Sequence, residues 1–208
     1  MLEEYTKIET VFLRDEGTKK LTDIWRNDTF KYLKDLDWEW TEKIDGTNIR
    51  IYWDGHKVHY YGRTDRAQIP SQLMNRLIEL FGGDTNEEMF EQKFGQTHVT
   101  LYGEGYGEKI QNGGLYRNDN DFILFDVQIA GNYQPRESVI DIAKYFGIDT
   151  VPVVGVGTLE EAIEFVRTKP KSKIGTADSE GIVARPIYEL KDRTGKRIIV
   201  KIKVRDFE

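Results

Sequence analysis

The sequence predicts an α+β fold in which helices flank antiparallel sheets. Short segments rich in β-branched and aromatic residues recur along the chain, and an Asp-Gly pair separates two of them. Three longer segments show helical spacing of their apolar residues. No Gly-x-Gly-x-x-Gly turn joins a strand to a helix, so a Rossmann fold fits poorly, and the strands disfavour a helix bundle.

The predicted strands are short runs of β-branched and aromatic residues. In chain order they cover residues 38–42, 49–53, 57–61, 99–102, 122–129, 181–184 and 198–204. The pair Asp54-Gly55 between the second and third runs is typical of a tight turn. We therefore expect those two strands to form a hairpin.

Helices are predicted at three places. The first covers residues 71–81 and ends at a pair of glycines, and the second covers residues 136–146. The third begins after Thr158, whose spacing to Glu161 is that of a capping box, and continues through residue 166. These helices would pack on the outside of the sheets.

Bulk composition limits the classes of function. The chain has 208 residues with no repeat or linker, so we expect a single domain over residues 1–208. It contains no cysteine, which excludes disulfides, thiol nucleophiles and cysteine-bound zinc. No leader segment or long apolar run is evident, so we expect a cytoplasmic protein without membrane association.

The charge distribution is uneven. The net charge of −6 argues mildly against a protein that coats nucleic acid. Between Arg185 and Arg205, however, eight Lys or Arg residues face only Glu189 and Asp192. The C-terminal end can therefore contact phosphates although the whole chain is acidic.

The first candidate for chemistry is the segment Lys43-Ile-Asp-Gly-Thr-Asn48. It places a lysine at the end of one strand and a glycine turn before the next. A motif this short is weakly specific, and by itself it also fits a surface lysine beside an Asp-Gly turn. The three histidines have no spacing that indicates metal binding or a catalytic triad.

Five further segments follow this motif in a fixed order. They are Tyr61-Gly-Arg63-Thr, Leu101-Tyr-Gly-Glu104, Phe122-Ile-Leu-Phe125-Asp126, Ser179-Glu180-Gly-Ile-Val-Ala-Arg185 and Val200-Lys201-Ile-Lys203. The ordered set resembles the covalent nucleotidyltransferase superfamily of polynucleotide ligases and mRNA capping enzymes, and the resemblance spans about residues 5–205. The resemblance implies a nucleotidyltransferase domain, the ATP-grasp-like adenylation domain of ligases.

Two features are similar to the RNA ligase branch of that superfamily. Asn48 closes the first motif, where DNA ligases and capping enzymes usually have arginine. The segment from Gly105 to Gln111, continuing to Phe125-Asp126, resembles nick-sealing phage RNA ligases and kinetoplastid editing ligases. An ATP-dependent RNA ligase is implied. The alternatives are a GTP-dependent capping-type guanylyltransferase, a DNA ligase, and a non-catalytic nucleotide or nucleic-acid binding module.

The resemblance assigns covalent chemistry to Lys43, which would form lysyl-AMP from ATP. A lysine ammonium must lose its proton before it attacks, which neighbouring cations favour. Lys201 and Lys203 alternate on one strand face and supply such cations, and the resemblance also places them on the α-phosphate. Taken alone, they also fit a solvated edge strand. Glu180 and Asp45 would bind Mg²⁺, for which Mn²⁺ can substitute.

The remaining assignments concern nucleotide recognition. By the resemblance, Phe125 stacks on adenine, and taken alone it also fits a core residue. Phe122 faces the opposite side of the strand, so we expect it in the core. Glu42 would contact the adenine edge, and Glu104 the ribose hydroxyls. Two further residues, Asn48 and Arg63, would bind phosphate.

Partners follow from the same family. RNA ends or a nicked duplex are the expected substrates, with DNA as an alternative, and we expect a monomer. Only five residues follow Lys203, so no appended C-terminal domain is expected. A partner would then supply the missing surface, or the chain would act on ends that are already adenylated.

Overall fold

The computed structural model describes residues 4–18 and 20–208. Its strands, β1 to β13, are Glu9–Thr10, Phe12–Arg14, Leu21–Trp25, Trp38–Glu42, Thr47–Trp53, Val58–Tyr61, Val99–Gly107, Asn120–Ile129, Asn132–Tyr133, Asp149–Thr150, Val153–Gly157, Gly181–Pro186 and Val200–Lys203. The α-helices, α1 to α5, are Asp28–Leu33, Ser71–Phe81, Asp84–Phe94, Arg136–Phe146 and Leu159–Arg167.

The chain forms two compact units, each with its own core. The central unit consists of Asp45–Val151 together with Glu4 and Tyr5, and the terminal unit consists of Thr6–Ile44 and Pro152–Glu208. One boundary between them falls directly after the Lys43-Ile44 dipeptide. Neighbouring residues of the first motif therefore belong to different units.

The terminal unit is built on a five-stranded sheet in the order β1-β13-β12-β4-β11. β1 pairs with β13 in parallel, and the other pairs are antiparallel. Apolar side chains of this sheet, including Trp38, Ile182 and Ile202, form a buried core with Leu159 and Val166 of α5. The register aligns Ile182 with Glu42, so the ends of strands β4 and β12 lie side by side.

The central unit contains a sheet in the order β10-β8-β7-β5-β6, with β9 beside β8. Helices α2, α3 and α4 contribute Leu77, Phe90 and Ile142 to its buried core. Strands β5 and β6 form the predicted hairpin, in which Gly55 has a φ of +94° and the amide of Asp54 donates to the Lys57 carbonyl at 3.1 Å. Only glycine adopts this φ readily, which explains its place in the turn.

The predicted α+β class is confirmed, and every predicted strand is present with ends shifted by a few residues. The largest difference is β7, which continues to Gly107 instead of ending at residue 102. Helices α2 and α4 have the predicted bounds, and α5 carries the predicted capping box at Thr158. Helix α3 was not predicted. Phe90 is its only buried residue, so its sequence shows no helical periodicity of apolar residues. No helix in the described ranges is long and apolar enough to span a bilayer.

Candidate active site

Lys43 follows directly after β4, and its backbone is held by the neighbouring strand. The Lys43 amide donates to the Gly181 carbonyl of β12 at 2.9 Å. Its Nζ donates to Oε2 of Glu180 at 2.5 Å, across a sequence separation of 137 residues. The fold therefore brings the motif of Lys43 into direct contact with the motif that begins at Ser179.

Glu180 is shared by two lysines. Its Oε1 accepts a hydrogen bond from Nζ of Lys203, while Oε2 binds Lys43. Exposed fractions of the three side chains are low: 23% for Lys43, 14% for Glu180 and 13% for Lys203. Burial of Glu180 opposes its ionisation, but the charge of Lys43 and the hydrogen bond from Lys203 outweigh it, so the pKa of Glu180 lies below its ordinary 4.5. Three motifs thus meet at an ionised carboxylate between two ammonium groups.

Lys201 and Lys203 lie two residues apart on β13, and Ile202 between them is fully buried, as predicted. Strand β13 lies between β1 and β12, so the alternative of an edge strand is wrong. The register places Lys201 opposite Thr10 and Val183. Because alternate residues share a strand face, both lysines project from the same side of this sheet.

Glu42 ends β4 and is only 2% exposed. Its Oε2 accepts from the amide of Lys173 at 2.8 Å. Its Oε1 is buried, and none of the described residues donates to it. A buried acceptor without a donor costs about 1–3 kcal/mol, so this atom is suited to a ligand that brings a hydrogen-bond donor.

In the central unit, Asn48 of β5 lies directly opposite Glu104 of β7. The two predicted nucleotide-binding side chains therefore lie on one face of the sheet. Oδ1 of Asn48 is buried and has no donor within the described part of the chain. The predicted ribose and phosphate contacts of this pair stay predictions, although their adjacency agrees with them.

Arg50 is a residue that the sequence did not indicate. It lies two positions after Asn48 on β5 and is completely buried. Its Nε donates to the Gly62 carbonyl at 2.9 Å, and its Nη2 donates to Asp65 Oδ1 at 2.8 Å. These bonds fasten the segment that carries Arg63, which is exposed. A charged residue inside a strand is the signal that could have indicated a buried ion pair.

Phe125 sits where the register between β7 and β8 shifts. Its ring makes an edge contact with the ring of Tyr5, at 4.9 Å between centroids, and Tyr5 donates its hydroxyl to Asp126 at 2.8 Å. Phe122 is buried against Phe81 in the core, as predicted. The contact of Tyr5 was missed, because nothing local in the sequence connects it with β8.

Asp45 is held by the loop between β7 and β8. Its carboxylate accepts from Asn112 Nδ2 at 2.7 Å, and its amide donates to the Tyr116 hydroxyl at 3.3 Å. Neither contact was foreseen from the sequence. Within residues 4–18 and 20–208, no group of three or more acidic or histidine side chains could hold a metal ion. Metal binding by Asp45 and Glu180 therefore stays a prediction.

The predicted site residues are divided between the units. Glu42, Lys43, Glu180, Lys201 and Lys203 belong to the terminal unit, whereas Asp45, Asn48, Arg63, Glu104 and Phe125 belong to the central unit. Within the terminal unit the site is a strand-end lysine, an ionised glutamate and a second lysine. This arrangement agrees with the covalent nucleotidyltransferase site that the sequence motifs predict.

Comparison with known proteins identifies the family. The family model described as RNA ligase matches residues 36–203, and the chain belongs to that family. A search of curated proteins gave no match.

Solved structures of Naegleria gruberi RNA ligase have a similar fold. A variant with ATP and Mn has a TM-score of 0.68 at 17% identity, covering 97% of this chain and 61% of that one. A second variant, with AMP and Mn, has a TM-score of 0.66 at 18% identity, covering 86% and 53%. The form with PPi has a TM-score of 0.65 at 20% identity, with the same coverage of both chains. The chain thus spans between about half and three fifths of these relatives.

Proposed function

We propose that this protein is an ATP-dependent RNA ligase in which Lys43 becomes covalently adenylated. The observation that carries the proposal is the meeting of Lys43, Glu180 and Lys203, which come from three separate motifs. Membership of the RNA ligase family supports it. The relatives solved with ATP or AMP support the choice of nucleotide.

In the first step, the neutral Nζ of Lys43 attacks the α-phosphorus of ATP. A P–N bond forms, and the bond between the α-phosphorus and the oxygen of pyrophosphate breaks. Lys203 and Lys201 supply positive charge for the phosphate oxygens, whose negative charge grows as pyrophosphate leaves. Lys43 must part from Glu180 for this attack, so the ion pair represents the resting arrangement of the nucleophile.

Glu42 favours adenine over guanine. Its buried Oε1 lacks a donor among the described residues, and the exocyclic amino group of adenine supplies one. Guanine carries a carbonyl oxygen at that position, which would face the carboxylate with a second acceptor. We therefore prefer ATP to GTP as the substrate, which disfavours the capping-type guanylyltransferase.

Magnesium fits the oxygen ligands that the chain offers. Glu180 is ionised, and the carboxylate of Asp45 is only partly exposed, so each is a suitable hard ligand. Bound magnesium would neutralise charge on the phosphates of ATP. The relatives solved with Mn support the use of a divalent cation.

The later steps act on nucleic acid. AMP passes from Lys43 to a 5′-phosphate end, and a 3′-hydroxyl then displaces AMP to join the strands. RNA ends or a nicked RNA duplex are the proposed substrates, and a cytoplasmic monomer is the proposed form. These proposals rest on the family and on the site within the terminal unit.

Covalent labelling tests the first step directly. Wild-type protein mixed with α-labelled ATP and magnesium should retain label after denaturation, and Lys43→Ala should lose it. Lys31→Ala is the matched control, since Lys31 is an exposed lysine of α1 in the same unit. Label that persists in Lys43→Ala, or that is stronger with GTP than with ATP, would refute the proposal.

A further inference from the structure

A cavity of about 610 Å³ lies entirely within the terminal unit. Its walls come from the hairpin of β2 and β3, from β13, and from the last residues of the chain. Lys203 belongs both to this cavity and to the candidate active site, because its Nζ contacts Glu180. The cavity therefore adjoins the ion pairs that Glu180 forms with Lys43 and Lys203.

The lining of the cavity is mainly cationic. Five basic residues contribute to it: Arg14, Lys20, Lys201, Lys203 and Arg205. Only two carboxylates, those of Asp206 and Glu208, accompany them. The ion pair of Asp206 with Arg14 at 2.5 Å cancels one charge of each sign, and Glu208 is ion-paired with Lys169, which lies outside the lining. This concentration of positive charge contrasts with the net charge of −6 for the whole chain.

We propose that this cavity binds backbone phosphates of the RNA strand whose end is being joined. The proposal rests on the proposed ligase function and names the surface that would hold its substrate. Clustered Lys and Arg side chains are the usual contacts for a nucleic-acid backbone, and they need no base recognition. Because Lys203 lines the cavity and contacts Glu180, a bound strand would lie beside the proposed nucleotidyl-transfer chemistry.

The lining favours a strand over a compact polyphosphate. The five cations come from two separate stretches of the chain, residues 10–21 and 201–208, and two carboxylates lie among them. Pyrophosphate concentrates several negative charges in two adjacent groups, which favours cations gathered around one point. Strand phosphates carry one charge each and are spaced along the chain, which suits dispersed cations. A volume of about 610 Å³ also accommodates more than two phosphate groups.

Salt-dependent RNA binding tests the proposal. Lys20 and Arg205 are exposed and lie in the cavity lining, so the double variant Lys20→Gln/Arg205→Gln should fold normally. Binding of a 5′-phosphorylated 12-nucleotide RNA would be measured by fluorescence anisotropy at several salt concentrations. Each lost phosphate contact makes the slope of log affinity against log salt shallower by about 0.7. The double variant loses two contacts, so its slope should be shallower than that of wild type by about 1.4.

The matched control is Lys31→Gln/Arg193→Gln, which removes two exposed cations of the same unit outside the cavity. It should keep the wild-type slope. Equal slopes for both double variants would overturn the proposal, because net charge alone would then explain binding. An increased KM for ATP in lysyl-adenylate formation, with RNA affinity unchanged, would also overturn it by assigning the cavity to the ATP polyphosphate.

Lysyl-adenylate labelling separates this proposal from the proposed function. Wild-type protein that fails to accept label from ATP, yet binds RNA through Lys20 and Arg205, would refute the ligase function and leave the phosphate-binding surface in place. Protein that accepts label but binds RNA equally well with and without these two side chains would refute the surface alone.

Discussion

Replacing Glu180 with glutamine removes the anion that both Lys43 and Lys203 contact, with little change in side-chain volume. Ion pairs on the surface contribute about 0–1 kcal/mol, and breaking a fully buried pair costs about 3–5 kcal/mol. The three side chains here are between 13% and 23% exposed. We therefore expect Glu180→Gln to lower the free energy of unfolding by about 2 kcal/mol at pH 7.

The pH dependence of this loss has a definite sign. The pKa of Glu180 in the folded protein lies below 4.5, so its contribution to stability is complete above that value and is lost as the pH falls through the folded pKa. The difference between wild type and Glu180→Gln should therefore narrow below pH 4.5. Urea unfolding at pH 7 and in acid measures this difference in the free energy of unfolding. The control is Glu164→Gln, which removes an exposed ion pair of α5 and should change that free energy by less than about 0.5 kcal/mol.

The same variant should slow lysyl-adenylate formation by about 100-fold, because the site loses the ionised oxygen ligand proposed for magnesium. Single-turnover labelling with α-labelled ATP measures this rate. A stability difference that stays constant from pH 7 into acid, or that is below 0.5 kcal/mol at pH 7, would refute the assigned role of the ion pairs.

Two further substitutions test backbone and turn geometry. Gly46→Ala would place a Cβ 2.3 Å from the Gly105 carbonyl oxygen, so we expect the free energy of unfolding to fall by about 1–3 kcal/mol, as measured by urea unfolding. Gly114→Ala, whose Cβ would meet its nearest atom at 4.0 Å, is the control, and equal losses would contradict the clash. At the β5–β6 turn, burial raises the pKa of Asp54, but hydrogen bonds from the Lys57 amide and from His59 outweigh this effect and lower the pKa to about 2. Asp54→Ala should therefore lower the free energy of unfolding by about 1 kcal/mol above pH 4, and this difference should vanish as the pH falls through 2. Urea unfolding at several pH values measures it.

Elements with a strong local signal could be predicted from the sequence. Helix α4 and the capping box of α5 depend on residues within a few positions of each other, so their bounds follow from spacing alone. Helix α1 is only six residues long, and β1 only two, which leaves too little periodicity for a prediction. Their places depend on tertiary contacts, such as the pairing of Thr10 with Lys201.

The candidate site divides in the same way. The ordered motifs indicated Lys43, Glu180 and Lys203, and alternation along β13 correctly placed Ile202 in the core. Contacts between distant segments could not be foreseen, because no local pattern encodes them. Asn112 reaches Asp45 across 67 residues, and this contact depends on how the β7–β8 loop folds.

The register shift at Phe125 shows why a family motif contains information that strand periodicity lacks. Strict alternation from Phe122 would place residues 122, 124 and 126 on the core face of β8. The pairing instead passes from Tyr102 opposite Asp126 to Gly103 opposite Leu124, leaving Phe125 as the extra residue of a bulge. Phe122, Leu124 and Val127 consequently share the core, while Asp126 accepts the hydroxyl of Tyr5. A bulge re-aims one side chain at a fixed place, so the position of the aromatic-aspartate pair depends on it. Asp126 is only 1% exposed, and the hydroxyl of Tyr5 supplies a donor that the apolar core on the other face lacks.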